Sequence, residues 1–312
     1  LATTSTQGRR LNNDTTQLTQ QSIMWRYHLL AIATILVWGV TFVNSKVLLL
    51  HGLAVHEIFV IRFGIAYLCI WTISPRRLWA SSLRDEAIMM LLGITGGSLY
   101  FVAENMAVKL SFVSNVSFIV CTAPLFTTLL GLLFIKGMRA TRGLVIGSML
   151  AIAGMAMVIF NGQFVFKLNP AGDLLAFCGA LCWAVYSLLM KSVATRYGAV
   201  FVSRKVFFYG LLTALPLFAF MPWQFPAEGF LIPAVWGNLL FLGFIASFAC
   251  FVLWNLAIKK VGAISVSNYV YLNPISTVVC SALVLHEPTT WIAILGSALI
   301  LSGVFVANKR GV

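Results

Sequence analysis

The sequence predicts an all-α integral membrane protein: ten transmembrane helices arranged as two inverted five-helix repeats. Three observations carry that prediction. Of 312 residues, 60% are hydrophobic and only 9% charged, whereas soluble domains carry about 25% charged residues, so the chain cannot clothe itself in a hydrated surface. Ten apolar runs approach the roughly 20 residues that a membrane helix needs. Finally, the phrase "YFVAENMAVK" at 100–109 returns 150 residues later as "CFVLWNLAIK" at 250–259.

Residues 1–25 are polar, rich in Thr, Gln and Asn, and lack the apolar stretch of a signal peptide; they read as a disordered cytoplasmic tail. The first repeat, 26–162, holds apolar runs at about 28–49, 55–73, 87–108, 111–134 and 142–160. The second, 163–308, holds runs at about 171–190, 201–221, 232–257, 262–285 and 290–307. Loops of a few residues require tight hairpins between neighbours. The six cysteines all lie in apolar runs without a CxxC pair and read as small packing residues.

Lys and Arg set the orientation. With the N-terminus inside, 17 of them fall in inner segments and 3 (Lys46, Lys109, Lys167) in outer ones, with Arg62 left inside a span. The positive-inside rule therefore places both termini in the cytoplasm. The net charge of +13 is spread over these loops rather than gathered on one face, which excludes a nucleic-acid partner; the partner is the lipid bilayer.

Aligning 101–124 with 251–274 pairs Phe101 with Phe251, Asn105 with Asn255, Lys109 with Lys259 and Pro124 with Pro274. Trp38 answers Trp183 at an offset of 145, and Gly147 and Gly154 answer Gly296 and Gly303 after a one-residue slip. Five spans is an odd number, so the second copy crosses the membrane in the opposite sense. Inverted repeats of this kind build alternating-access carriers, with the binding site near the midplane where the halves meet.

The stretches "NMAVKLSFVSNVSFIVCTAPLFTTLLGLLF" (105–134) and "NLAIKKVGAISVSNYVYLNPISTVVCSALVLHEPTTWIAILGSALILSGV" (255–304) resemble the two EamA-like halves of the drug/metabolite transporter superfamily. The second copy carries the family's central proline, a Glu after the ninth span (Glu287) and the glycines Gly296 and Gly303; the first departs, with Gly137 where the Glu would stand. The resemblance covers about 28–307. It implies ten helices and transport of amino acids, metabolites, nucleotide derivatives or drugs, without choosing among them.

Residues that break the apolar rule are the site candidates. A carboxylate inside a span costs about 2.5–3.5 kcal/mol or more, which singles out Glu104; Arg62, the Arg well inside a span, lies at similar depth, so an Arg62–Glu104 ion pair is expected, with a substrate or proton ligand as the alternative. Glu104 faces Trp254 across the repeat, so one half supplies charge and the other an aromatic surface, suited to a cationic or zwitterionic substrate. Tyr100 lies one turn before Glu104 on the same face. Asn105 and Asn255 are a matched amide pair, either helix glue or ligands. Trp38, Trp183 and Tyr186 sit near mid-membrane. Asn115, Asn268 and Tyr271 precede the prolines Pro124 and Pro274, where a freed carbonyl and a kink are expected.

His51, His56 with Glu57, and His286 with Glu287 match no zinc spacing, so no metal and no cofactor is expected. The chain lacks GxxxxGK[ST] and the clustered Asp or His motifs of a membrane-embedded enzyme. The expectation is therefore a non-enzymatic secondary transporter in a bacterial inner (plasma) membrane. It exports small metabolites such as amino acids by alternating access; a proton-coupled efflux carrier for organic cations is the alternative. Oligomeric state is left open.

Overall fold

The computed structural model describes residues 2–74, 79–110, 116, 119–160, 169–284 and 290–309. In chain order the helices are α1 (Ala2–Leu50, its apolar part Met24–Leu50), α2 (Val55–Ile73), α3 (Leu83–Leu110), α4 (Ala123–Phe134), α5 (Arg142–Phe160) and α6 (Pro170–Tyr197). They continue with α7 (Ala199–Phe220), α8 (Pro233–Val261), α9 (Ala263–Ser267), α10 (Asn273–Val284) and α11 (Trp291–Lys309). Six of them are long and apolar enough to cross a membrane; Ala123–Phe134, Arg142–Val158 and Ile294–Asn308 are shorter apolar helices.

The expected tail does not stay apart from the first span. Its backbone continues α1 as helix from Ala2, because no proline and only Gly8 and Gly39 interrupt residues 2–50 and Thr, Gln and Asn each cost a helix less than about 1 kcal/mol.

Irregular backbone sits in the middle of the bundle. Helix α3 passes through a π segment at Ile94–Ser98, with Gly97 outside helical dihedrals (φ −130°, ψ −107°), and α8 through one at Phe241–Ala249. Such segments turn the following side chains relative to the preceding ones. Helix α10 follows a 3₁₀ stretch, Asn268–Leu272. Neither proline kinks a continuous helix: Pro124 and Pro274 stand in the first turns of α4 and α10, where the missing N–H is not needed.

Packing is reciprocal. Helix α3 lies along α6 and α7 while α8 lies along α1 and α2; α4 rests on α6 while α10 rests on α1. Helices α5 and α11 pack antiparallel, with Gly147 against Gly303 and Gly154 against Gly296. The start of the α1 span (Met24, Trp25, His28) and the end of α11 (Val304, Asn308) line one cavity, so the first span starts at the end of the bundle where α11 finishes.

At that end α3 is tied to α6 and α7 by the ion pairs Asp85–Arg196, 2.8 Å, and Glu86–Lys205. Tyr197 and Tyr209 donate to the same two carboxylates, each at 2.5 Å, and the Arg204 guanidinium donates to the Ser74 carbonyl. Lys205 is nearly buried, so Glu86→Gln leaves a buried cation with half its partner. The expected cost is about 3 kcal/mol, read as a melting temperature lower by several degrees in detergent. A change within error would place this pair in a solvated setting.

Candidate functional site

The central cavity holds about 50 Å³, room for a few waters. Trp38 lies twelve residues before the end of α1, about 18 Å along the helix at 1.5 Å per residue, and Trp183 lies thirteen residues into α6. They meet at the cavity wall with ring centroids 5.3 Å apart. Phe101 and Phe251, from α3 and α8, complete the aromatic lining at 6.4 Å from each other. The Trp38 indole donates to the Ala246 carbonyl at 2.8 Å, inside the π segment of α8 where backbone bonding is irregular.

Two opposite charges face this cavity, Arg62 from α2 and Glu104 from α3. The expected direct pairing between them is not made: among the described residues the salt bridges are Asp85–Arg196 and Glu86–Lys205. Instead Arg62 Nε donates to Ser247 Oγ at 2.9 Å, and its guanidinium rests over the Phe101 ring, 4.5 Å from the centroid. Glu104 Oε1 accepts from Tyr100 Oη at 3.0 Å. Each charge is thus hydrogen-bonded to a neutral partner rather than to the other.

Two further polar atoms of the lining are buried without a partner, the Trp183 indole N–H and the Asn273 side-chain oxygen. Buried polar atoms without partners are rare in native interiors, so donor, acceptor, cation and anion all converge on one small space. A second pocket of about 30 Å³ shares Thr41, Phe42, Arg62 and Glu104 and runs on past Asn105 to Ser45, Lys46 and Val108.

The remaining candidates fall elsewhere. Asn105 lines only the second pocket, its amide bonded to the Phe101 carbonyl of its own helix at 2.7 Å. Trp254 is fully buried behind Trp38, ring centroids 5.1 Å apart, rather than on the cavity wall. Asn255 accepts from Tyr186 Oη at 2.6 Å and donates to Ser203 Oγ at 2.9 Å, cross-linking α8 to α6 and α7; both residues are fully buried and act as glue. Asn268 donates to Asn308 at 3.1 Å, and Tyr271 is buried in the core. Asn115, like His286 and Glu287, lies outside the described residues.

Sequence reasoning did not pick out Ser247, Thr41, Phe42, Phe101 or Phe251. The last two carried a signal, since they match across the repeat; Ser247 carried none, because its position beside Arg62 depends on the π segment.

The sequence profile of the EamA-like transporter family matches residues 25–160 and again residues 170–309. An uncharacterized transporter of Archaeoglobus fulgidus is 27% identical over 292 residues, 91% of this chain and 97% of the relative. A protein of Streptantibioticus cattleyicolor described as a "probable terminal-alkyne amino-acid exporter" is 29% identical over 227 residues, 73% of this chain and 74% of the relative. A crystal structure 19% identical in sequence superposes with a TM-score of 0.71, covering 91% of this chain and 96% of the other; at that identity the likeness speaks for the fold alone.

Proposed function

This chain belongs to the EamA-like transporter family, and from that premise we propose that it is a secondary exporter of small zwitterionic metabolites, amino acids foremost, working by alternating access. The observation that carries this reading is the pair of opposite, unbridged charges in one aromatic cavity. An α-amino acid presents an ammonium to Glu104 and a carboxylate to Arg62, and its side chain packs on Trp38, Trp183 and Phe251. The relative described as a "probable terminal-alkyne amino-acid exporter" agrees with this chemistry.

The architecture we propose for it is ten helices in two inverted repeats, with both termini cytoplasmic. Exchanging the halves turns the contact of α3 with α6 into that of α8 with α1, and the contact of α4 with α6 into that of α10 with α1. Trp38 touches its counterpart Trp183, and Phe101 lies beside Phe251, as residues near a two-fold axis must. The antiparallel Gly147–Gly303 and Gly154–Gly296 contacts map onto each other under the same exchange, the isologous condition. An axis along the membrane normal would have made α5 and α11 parallel. A common end for the first and last spans supports an even number of crossings.

In this orientation the second pocket points outward, toward Lys46, and the Asp85 and Glu86 ion pairs close the cytoplasmic side. A central space of about 50 Å³ is far below the several hundred Å³ of ordinary ligand sites, so the halves must separate to load it.

A proton-coupled carrier for organic cations is the second reading, favoured by Glu104 among aromatic rings and opposed by Arg62 in the same cavity. Liposomes containing the purified protein and loaded with unlabelled amino acids are expected to accumulate radiolabelled amino acid by counterflow. Quaternary ammonium uptake under a pH gradient, without amino-acid counterflow, would select the second reading.

A further inference from the structure

A cavity larger than the central one opens among the described residues. It holds about 580 Å³ at the end of the bundle where the first span starts and α11 finishes, between α1, the 3₁₀ stretch and α11, and nothing above assigns it a role. We propose that it is a second binding site, a loading chamber that takes the apolar part of an amphipathic zwitterion from the lipid side before the molecule reaches the central cavity. The inference rests on the transporter reading.

Continuity carries it. His28, Ile32, Ile35 and Trp38 follow each other at spacings of four, three and three on α1, one stripe of a helix. The first two face the large cavity and the last two the central one. The opposite wall divides in the same way: Tyr269 and Leu272 line the large cavity, Val270 and Asn273 the central one. The partition is therefore one layer of side chains, and on one side it is carried by a 3₁₀ stretch, whose hydrogen bonds are poorer than those of an α-helix. Among the described residues, His28 Nδ1 lies 2.7 Å from Tyr269 Oη and links α1 to the 3₁₀ stretch. Breaking this link costs a single hydrogen bond, while the chamber already has the volume of an ordinary ligand site.

The rim of the mouth is apolar: Trp25 is 60% and Phe305 64% exposed, both on apolar helices, and in the proposed orientation this rim sits at the lipid boundary, where Trp favours the headgroup level. A molecule with an apolar tail partitions to this mouth; a small hydrophilic zwitterion does not. The chamber thus selects for amphipathic over hydrophilic amino acids ahead of the charged site, which recognises only the headgroup that they share.

The test uses the full chain in liposomes, with 2-aminooctanoate and glycine as probes. Wild type is expected to exchange 2-aminooctanoate faster than glycine. Val304→Trp, which fills the chamber far from Arg62 and Glu104, is expected to lose at least about tenfold of the 2-aminooctanoate rate. Leu295→Trp, on the exposed face of the same helix, is expected to keep it. If Val304→Trp exchanges at the wild-type rate the chamber inference is overturned and the transporter reading stands; if wild type exchanges no amino acid, that reading falls and takes the inference with it. Should the Trp variant fail to fold, Val304→Cys replaces it, with N-ethylmaleimide modification of that position read by mass spectrometry. Slower modification in the presence of 2-aminooctanoate supports the inference, and modification that follows lipid composition alone overturns it in favour of a bound lipid.

Discussion

Glu104→Gln, which removes the charge and keeps the shape, is expected to lower amino-acid exchange by about 10- to 100-fold. The size follows from a charge-assisted hydrogen bond, worth about 1.5–3 kcal/mol, lost between the carboxylate and the substrate ammonium. Tyr100 still has an amide oxygen to donate to, so the local packing survives and the loss is one of recognition. Arg62→Gln is expected to weaken exchange of the same substrates by a similar factor through their carboxylate. The two variants separate by substrate: an amine lacking the carboxylate loses affinity only in the Glu104 variant, and a carboxylic acid lacking the ammonium only in the Arg62 variant. Binding isotherms of the purified variants in detergent provide the measurement. Equal affinities of wild type and Glu104→Gln for a zwitterion would leave Glu104 a purely structural residue.

The second large effect is on assembly. A Cβ placed on Gly154 would lie 2.5 Å from the Gly296 carbonyl oxygen, and one on Gly303 2.5 Å from that of Gly147. Backbone blocks the added atom in both cases, so α5 and α11 must part, which costs about 1–3 kcal/mol per site even for alanine and more for a larger residue. Gly154→Leu is expected to abolish the monodisperse peak in size-exclusion chromatography. Gly147→Ala with Gly303→Ala should cost less than the sum of the two single changes, because both act on one contact. Gly64 gives the contrast: nothing lies within 4 Å of a Cβ there, so Gly64→Ala on α2 should be neutral or stabilising by up to about 1 kcal/mol. A folded, wild-type-like Gly154→Leu protein would contradict the close approach of α5 and α11.

Much of this was legible before any coordinates. Several of the apolar runs match helices that form, 55–73 against Val55–Ile73 and 142–160 against Arg142–Phe160, whereas 262–285 divides into Ala263–Ser267, a 3₁₀ stretch and Asn273–Val284. Trp38 and Trp183, matched in the sequence at an offset of 145, meet at the cavity wall. Other readings failed on particular grounds. Trp254 replaces Glu104 in the second copy, yet it turns into the core behind Trp38 while Glu104 reaches the cavity. Arg62 and Glu104 share a depth and a cavity but not a salt bridge, because Ser247 and Tyr100 took their hydrogen bonds.

What the sequence determined by itself is where the chain is solvated by lipid and which polar groups are anomalies there. Desolvation is a property of each residue and its near neighbours along the chain, so a run of apolar residues and a lone carboxylate within it announce themselves. What only the tertiary structure decided is which anomalies face one another, and across what space. The π segments at Ile94–Ser98 and Phe241–Ala249 rotate the C-terminal parts of α3 and α8 by amounts that no periodicity records. The partners of Arg62 and Glu104 are then chosen by packing among helices up to 185 residues apart in the chain. That choice is a balance of contacts across the whole bundle, and no local stretch of sequence contains it.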